Sequence, residues 1–158
     1  MPRKSWDDHF LGLALYHAQM SKDPSTRVGA VIISPDRELI SSGFNGFPRG
    51  IADTPERLND RELKLQLTVH AEMNASLFAA KLGLPIKGCT MFIVAQDVAT
   101  HEIWGGPPCT RCAVALIQCG LQAVVSYPSR SVPSRWKEDT YLSLMLLNEA
   151  GLCFREVK

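Results

Sequence analysis

Two short segments 39 positions apart place the strongest constraint on this chain: His70-Ala71-Glu72 and Pro108-Cys109-Thr110-Arg111-Cys112. Each stands where a helical pattern begins, and an apolar β-type run lies between them. A fold that uses them together must bring two helix starts to one edge of a sheet. One imidazole and two thiols make a three-ligand zinc set with one coordination position left for water, whereas a closed structural site takes four protein ligands. The carboxylate left over suits proton transfer at that position.

The local spacing agrees. Cys109 and Cys112 are three residues apart, which puts both thiols on one side of a first helical turn. A helix N-terminus favours thiolate over thiol, and Pro108 sets the turn before it. Glu72 follows His70 by two residues, a step of roughly 200° on a helix. It is therefore poorly placed to bind the same ion and better placed to reach a water beside it. A lone C-x-x-C or H-x-E also fits a structural zinc knuckle or no metal at all. The two at successive helix starts, with a strand between, favour a hydrolytic zinc site with His70, Cys109 and Cys112 as ligands and Glu72 as the catalytic acid/base.

The rest of the composition narrows the class. The chain has 158 residues, 46% of them hydrophobic and 21% charged, with a formal net charge of +1. That length predicts one domain over residues 1–158 with its own core. Near-neutral charge argues against duplex nucleic acid as a partner, since such binding takes many basic contacts. No apolar run reaches membrane-spanning length, and the first ten residues lack the apolar stretch of a secretory signal, so we expect a cytoplasmic protein. Five cysteines are an odd number for a disulfide framework. Cys89, Cys119 and Cys153 read as small core residues.

Hydrophobic periodicity and turn residues alternate helix with strand. Helices are expected from Ser5 to Met20, Glu56 to Leu67, His70 to Lys81, Cys109 to Cys119 and Thr140 to Glu149. The first should bury Phe10, Leu13, Ala14 and His17; the last, Leu142, Met145 and Leu146. Strands are expected at Val28–Ser34, Leu39–Phe44, Thr90–Ala95, Ala123–Ser126 and Leu152–Val157. Residues 45–50, 97–108 and 127–139 read as loops. This order predicts an α/β fold, a three-layer α-β-α sandwich around a five-stranded mixed sheet.

H-x-E followed by P-C-x-x-C is the signature of zinc-dependent nucleobase deaminases, and on these residues the chain resembles the cytidine deaminase superfamily. Within it, the deoxycytidylate (dCMP) deaminases are the most similar group. The narrower likeness rests on Asp23–Ile32, on Gly43-Phe44-Asn45-Gly46-Phe47-Pro48-Arg49-Gly50, on His70-Ala71-Glu72-Met73-Asn74-Ala75, on Ile117–Leu121 and on Glu149–Arg155. It spans about residues 5 to 157. Two stretches depart from the family pattern, Gln96–Gly106 and Pro128–Trp136, and both are expected near the mouth of the site.

The resemblance implies a cytidine-deaminase-like fold, one Zn2+ per subunit, and hydrolysis of dCMP to dUMP and ammonia, which supplies dUMP for thymidylate synthesis. Alternatives are a dCTP or modified-dCMP deaminase of the same fold, or a non-catalytic zinc-stabilised nucleotide-binding module. It implies that Asn45 bonds the sugar and that the Ala71 N–H bonds the base carbonyl. For the 5′-phosphate, Arg27 and Arg49 are preferred over Arg130 and Arg135 because they flank the matched motifs. Many family members are hexamers controlled by dCTP and dTTP with Mg2+, so a homo-oligomer, a hexamer in preference, is expected. Trp104 reads equally as a stacking surface or a plug, Phe78 as core, His101 as a surface residue, and His9 and His17 as structural.

Overall fold

The computed structural model describes residues 3–130 and 134–157. In chain order the elements are α1 (Trp6–Ala18), β1 (Thr26–Ile33), β2 (Leu39–Phe44), α2 (Pro55–Asn59), α3 (Arg61–Leu67), α4 (Ala71–Lys81), β3 (Thr90–Asp97), β4 (Ile103–Trp104), α5 (Thr110–Gln118), β5 (Ala123–Ser126), α6 (Ser134–Glu149) and β6 (Cys153–Glu156). The main path of the sheet runs β2-β1-β3-β5-β6, and β4 pairs with the end of β3. β1 is antiparallel to β2 and β3, whereas β3–β5 and β5–β6 are parallel. The expected five-strand mixed sheet is therefore present, extended by a two-residue strand within the stretch read as loop.

The period-two alternation of β1 and β3 divides the core into two layers. Val31, Ile33, Phe92 and Val94 point one way and pack with Phe10, Leu11 and Ala14 of α1. Ala30, Ile32, Met91 and Ile93 point the other way and pack with Ala71 and Ala75 of α4 and Ala113 and Leu116 of α5. The three layers are α1, the sheet, and the α4–α5–α6 group. Gly43 sets how closely α4 lies on β2: a Cβ there would collide with the backbone of Ala71 and Ala75. Ser41 strengthens the same seam, its hydroxyl donating to the Ala75 carbonyl at 2.6 Å.

Several expectations are corrected. The single helix over 56–67 is two, because Asp60 leaves helical geometry and accepts from Leu63 N–H at 3.1 Å, starting α3 afresh. α6 begins at Ser134 and not at Thr140. Its inward face is Ser143 and Leu147, with Leu142 and Met145 exposed, because it packs chiefly on α5. Phe78 is exposed on α4. Cys89 is buried and Cys119 half-buried, but Cys153 is exposed, since β6 is the edge strand. His9 is exposed beside the rings of Trp6 and Phe10, and His17 packs edge-on against Phe44 with centroids 5.4 Å apart. Among the described residues no helix is long and apolar enough to cross a membrane.

Candidate active site

The two motifs meet at the starts of α4 and α5. His70 and Cys109 are the N-cap residues of these helices, both extended in backbone and neither making a side-chain capping bond. Their side chains are thus free to turn toward each other. The Nδ1 of His70 lies 3.4 Å from Sγ of Cys109 and 3.5 Å from Sγ of Cys112. Among the described residues this is the group whose donor atoms gather closely enough to share a metal ion.

The donor set fits zinc. Two sulfurs and an imidazole nitrogen at ordinary zinc bond lengths and tetrahedral angles would lie about 3.6 Å apart, S to N. The observed separations match that without rearrangement. The three side chains also shift one another's protonation. Hydrogen bonding from Cys112 and His70 holds the Cys109 thiol well below its usual range, so it is thiolate at neutral pH. The Cys109 hydrogen bond raises His70 to about 8. The neighbouring Cys109 sulfur and burial push Cys112 upward, keeping it a thiol.

Glu72 occupies the first turn of α4 and is only 6% exposed. Burial raises its carboxyl above the normal range, opposed by the charge of His70. It lines the same cleft as His70, Ala71 and Cys109, a cavity of about 680 Å³. A buried carboxyl held above its ordinary range beside a metal-ligand set is suited to both accepting and donating a proton.

Asn45 also lines this cleft, but its amide is already used. Its Oδ1 accepts from Val28 N–H at 2.8 Å, and its Nδ2 donates to the Thr26 carbonyl at 2.9 Å. It locks the loop after β2 onto the start of β1 and keeps one N–H and one lone pair spare. Arg27 and Arg49 are not brought to the cleft. Arg27 lies between Thr26 and Val28, which line the cavity, so strand alternation turns it to the α1 side. Arg49 is exposed and lines a second cavity of about 340 Å³ with Lys22, Phe44 and Phe47.

The cations that do line the cleft are Arg61, Lys64, Arg130 and Arg135. Lys64 is committed to Asp23 at 3.1 Å in a nearly buried pair. Arg130 is oriented but not committed. Its guanidinium lies 4.1 Å from the centre of the Trp104 ring, and the nearest carboxylates, Asp97 and Glu102, are 3.8 and 4.0 Å away, beyond hydrogen-bond length. Trp104 is half-buried in the cleft wall with Nε1 enclosed and without a partner among the described residues. His101, expected at the surface, is exposed at the turn between β3 and β4 with φ of 60°. Residues 131–133 of the Pro128–Trp136 stretch lie outside the described residues.

Residues 4–127 match the family described as the cytidine and deoxycytidylate deaminase zinc-binding region. The chain belongs to this family. An uncharacterized deaminase of the luxG 3′ region in Aliivibrio fischeri is 36% identical over 148 residues, covering 93% of this chain and 90% of that protein. The mouse deoxycytidylate deaminase is 32% identical over 96% of this chain and 79% of its own length. That of Mycobacterium phage D29 is 32% identical over 83% of this chain and all of the phage protein. Among solved structures, the dCMP deaminase of cyanophage S-TIM5, in complex with dCMP and dUMP, superposes with a TM-score of 0.70 over 99% of this chain and 100% of its own, at 18% identity. The fold is the cytidine-deaminase fold, and the chain is a deaminase of this family with a His70/Cys109/Cys112 zinc site.

The motifs did not point to every residue at this site. Lys64, Asp139 and Trp136 line the cleft without belonging to any of the motifs that carry the resemblance. The run Ser134-Arg135-Trp136-Lys137-Glu138-Asp139 contains good helix formers, which was the available signal for an earlier start to α6.

Proposed function

We propose that this deaminase hydrolyses dCMP to dUMP with release of ammonia, in the cytoplasm, supplying dUMP for thymidylate synthesis. The observation that carries the reading is the buried carboxyl of Glu72 facing the same cleft as the His70/Cys109/Cys112 cluster. A purely structural zinc site has no use for such a group. The relatives named deoxycytidylate deaminase support the nucleotide level of the substrate.

Zinc held by His70, Cys109 and Cys112 would supply the Lewis acidity that makes water a nucleophile at neutral pH. Glu72 takes a proton from the attacking water and delivers it to the cytosine ring nitrogen N3. Glu72 then takes the remaining proton from the hydroxyl now on C4 and passes it to the amino nitrogen as the C4–N bond breaks, which leaves C4 a carbonyl and releases ammonia. The Ala71 N–H, at the uncapped start of α4, donates to the base carbonyl. The spare N–H of Asn45 reaches the sugar while its other bonds hold the loop rigid.

For the 5′-phosphate we assign Arg130, with Arg135 beside it, in place of the Arg27 and Arg49 expected from the motifs. An arginine stacked on an indole, with no carboxylate at bonding distance, keeps its donors for a phosphate. Arg49, at the second cavity, is available to an anionic effector such as dCTP or dTTP with Mg2+, whereas Lys22 there is paired with Asp53 at 2.9 Å. Assembly into a homo-oligomer, a hexamer in preference, is supported by apolar side chains on the outer faces of the helical layer: Leu77, Phe78 and Leu82 on α4, Val114 on α5, and Tyr141 and Met145 on α6.

The test is to give the zinc-loaded protein cytidine, dCMP, dCTP and single-stranded DNA separately and follow ammonia release. dCMP is expected to be fastest. Equal rates on cytidine and dCMP remove the phosphate reading, and a preference for dCTP moves the chain to the triphosphate branch of the fold. No turnover on any of them favours a binding module.

A further inference from the structure

The start of α5 is held from outside by α6. Cys109 caps α5 without a side-chain hydrogen bond, so the first N–H groups of the helix need other acceptors. The carboxylate of Asp139 meets the Thr110 N–H at 3.2 Å through one oxygen and 3.4 Å through the other. The Thr110 hydroxyl donates back to the Asp139 carbonyl at 3.1 Å. One helical turn on, the buried Ser143 hydroxyl donates to the Pro108 carbonyl at 2.6 Å. The residues on both sides of Cys109 are therefore pinned to one face of α6, and a first-turn N–H of α5 is taken by a carboxylate. Groups that fix the orientation of metal ligands typically cost 10–100-fold in metal affinity when lost, and here the fixing acts through Thr110 and Pro108, the neighbours of Cys109.

We propose that Asp139 is a positioning residue for the metal site, holding the Cys109–Cys112 turn in its ion-binding geometry through the Thr110 N–H. This rests on the zinc reading of the His70/Cys109/Cys112 cluster. With Asp139 truncated, Thr110 N–H loses its acceptor and the turn carrying Cys109 gains freedom that ion binding must then remove. The effect is local to ion retention, because Asp139 does not itself approach the three donor atoms as a fourth member of the cluster.

The test measures zinc release to a chromogenic chelator from purified, zinc-loaded full-length protein. The variants are Asp139→Ala, Asp139→Asn, which keeps an acceptor oxygen, and Thr110→Pro, which removes the N–H at a helix position that tolerates proline. Asp7→Asn is the control: it removes the charge from the Asp7–Arg155 pair, 2.7 Å long and joining α1 to β6, on the other side of the sheet. We expect Asp139→Ala and Thr110→Pro to release zinc about 10-fold faster, Asp139→Asn to stay closer to the parent, and Asp7→Asn to lower the melting temperature without changing release. Release from Asp139→Ala and Thr110→Pro within twofold of the parent overturns the proposal. So does equal acceleration in Asp7→Asn, which would make the effect one of general stability. If Asp139→Ala does not fold, Thr110→Pro and Asp139→Asn decide the matter by the same criterion. Parent protein that holds no zinc at all overturns the metal reading itself, a result distinct from zinc held equally well by every variant.

Discussion

The Nδ1 of His70 and the Sγ of Cys109 lie 3.4 Å apart although 39 residues separate them in the chain. Each ends an extended segment and caps a helix, so the contact depends on the sheet bringing α4 and α5 side by side. Ala71 and Ala113, both fully buried in the same cluster, let those helix starts approach. Their proximity links fold to chemistry, and its consequences are measurable.

Zinc binding should be strongly pH-dependent in a stated direction. In the metal-free protein His70 carries a proton up to about pH 8, and Cys112 remains a thiol. Zinc must displace one proton from each, so affinity falls as pH drops below about 8. Calorimetry in buffers of different ionisation enthalpy should show this proton release near pH 7. In the metal-free protein two of the ligands pull in opposite directions: Cys109, lowered from 9 to about 4 on folding, adds stability as pH rises toward 9, and His70 does the reverse. His70 is raised from 6.5 to about 8 on folding, so its contribution to stability is complete below pH 6.5 and is lost as pH rises through 8. Between pH 6.5 and 8 the two largely offset each other, so the melting temperature of the metal-free protein should change little there while that of the zinc-loaded protein rises.

Arg130→Ala should cost specificity at the phosphate. A charge-assisted hydrogen bond is worth roughly 1.5–3 kcal/mol, so kcat/KM for dCMP should fall by about 10–100-fold while the low rate on cytidine barely changes. Arg49→Ala, at the other cavity, should leave dCMP turnover within about twofold when no effector is present. A larger loss in Arg49→Ala than in Arg130→Ala would return the phosphate to the motif arginine.

The metal motif was legible because its residue types have few other uses at that spacing. The sheet was legible because apolar runs such as Val28–Ile33 and Met91–Ala95 are bounded by turn residues. The arginines proposed for the phosphate were not the ones the motifs favoured. Motif proximity pointed to Arg27, but strand alternation turns every second residue to the other layer, and a one-residue offset decides the face. Arg130 stands among the sequence candidates but second to the motif arginines, and Asp139 was hidden for a different reason: it stands on α6, whose first turns lie in a stretch that Pro128 and Pro133 made look like loop. Asn45 carried a mixed signal. The motif marked it correctly as special, yet the bonds it makes within the protein fasten β1 to the loop after β2.

Gly43→Ala should destabilise the fold and loosen the site together. The added methyl meets α4 backbone at Ala71 and Ala75, which cannot step aside as a flexible side chain would. Overpacking of this kind typically costs about 1–3 kcal/mol, readable by denaturant titration. Because Ala71 follows His70, zinc release should accelerate as well, whereas Gly12→Ala, at a site with open space, should do neither.

The most direct measurement pairs metal content with turnover in Glu72→Ala. Zinc per chain is determined by elemental analysis, and ammonia release from dCMP is followed on the same sample. The account predicts about one zinc per chain in both parent and variant, with turnover in the variant reduced to background. Full turnover in Glu72→Ala, or an active parent enzyme that carries no zinc, would contradict it.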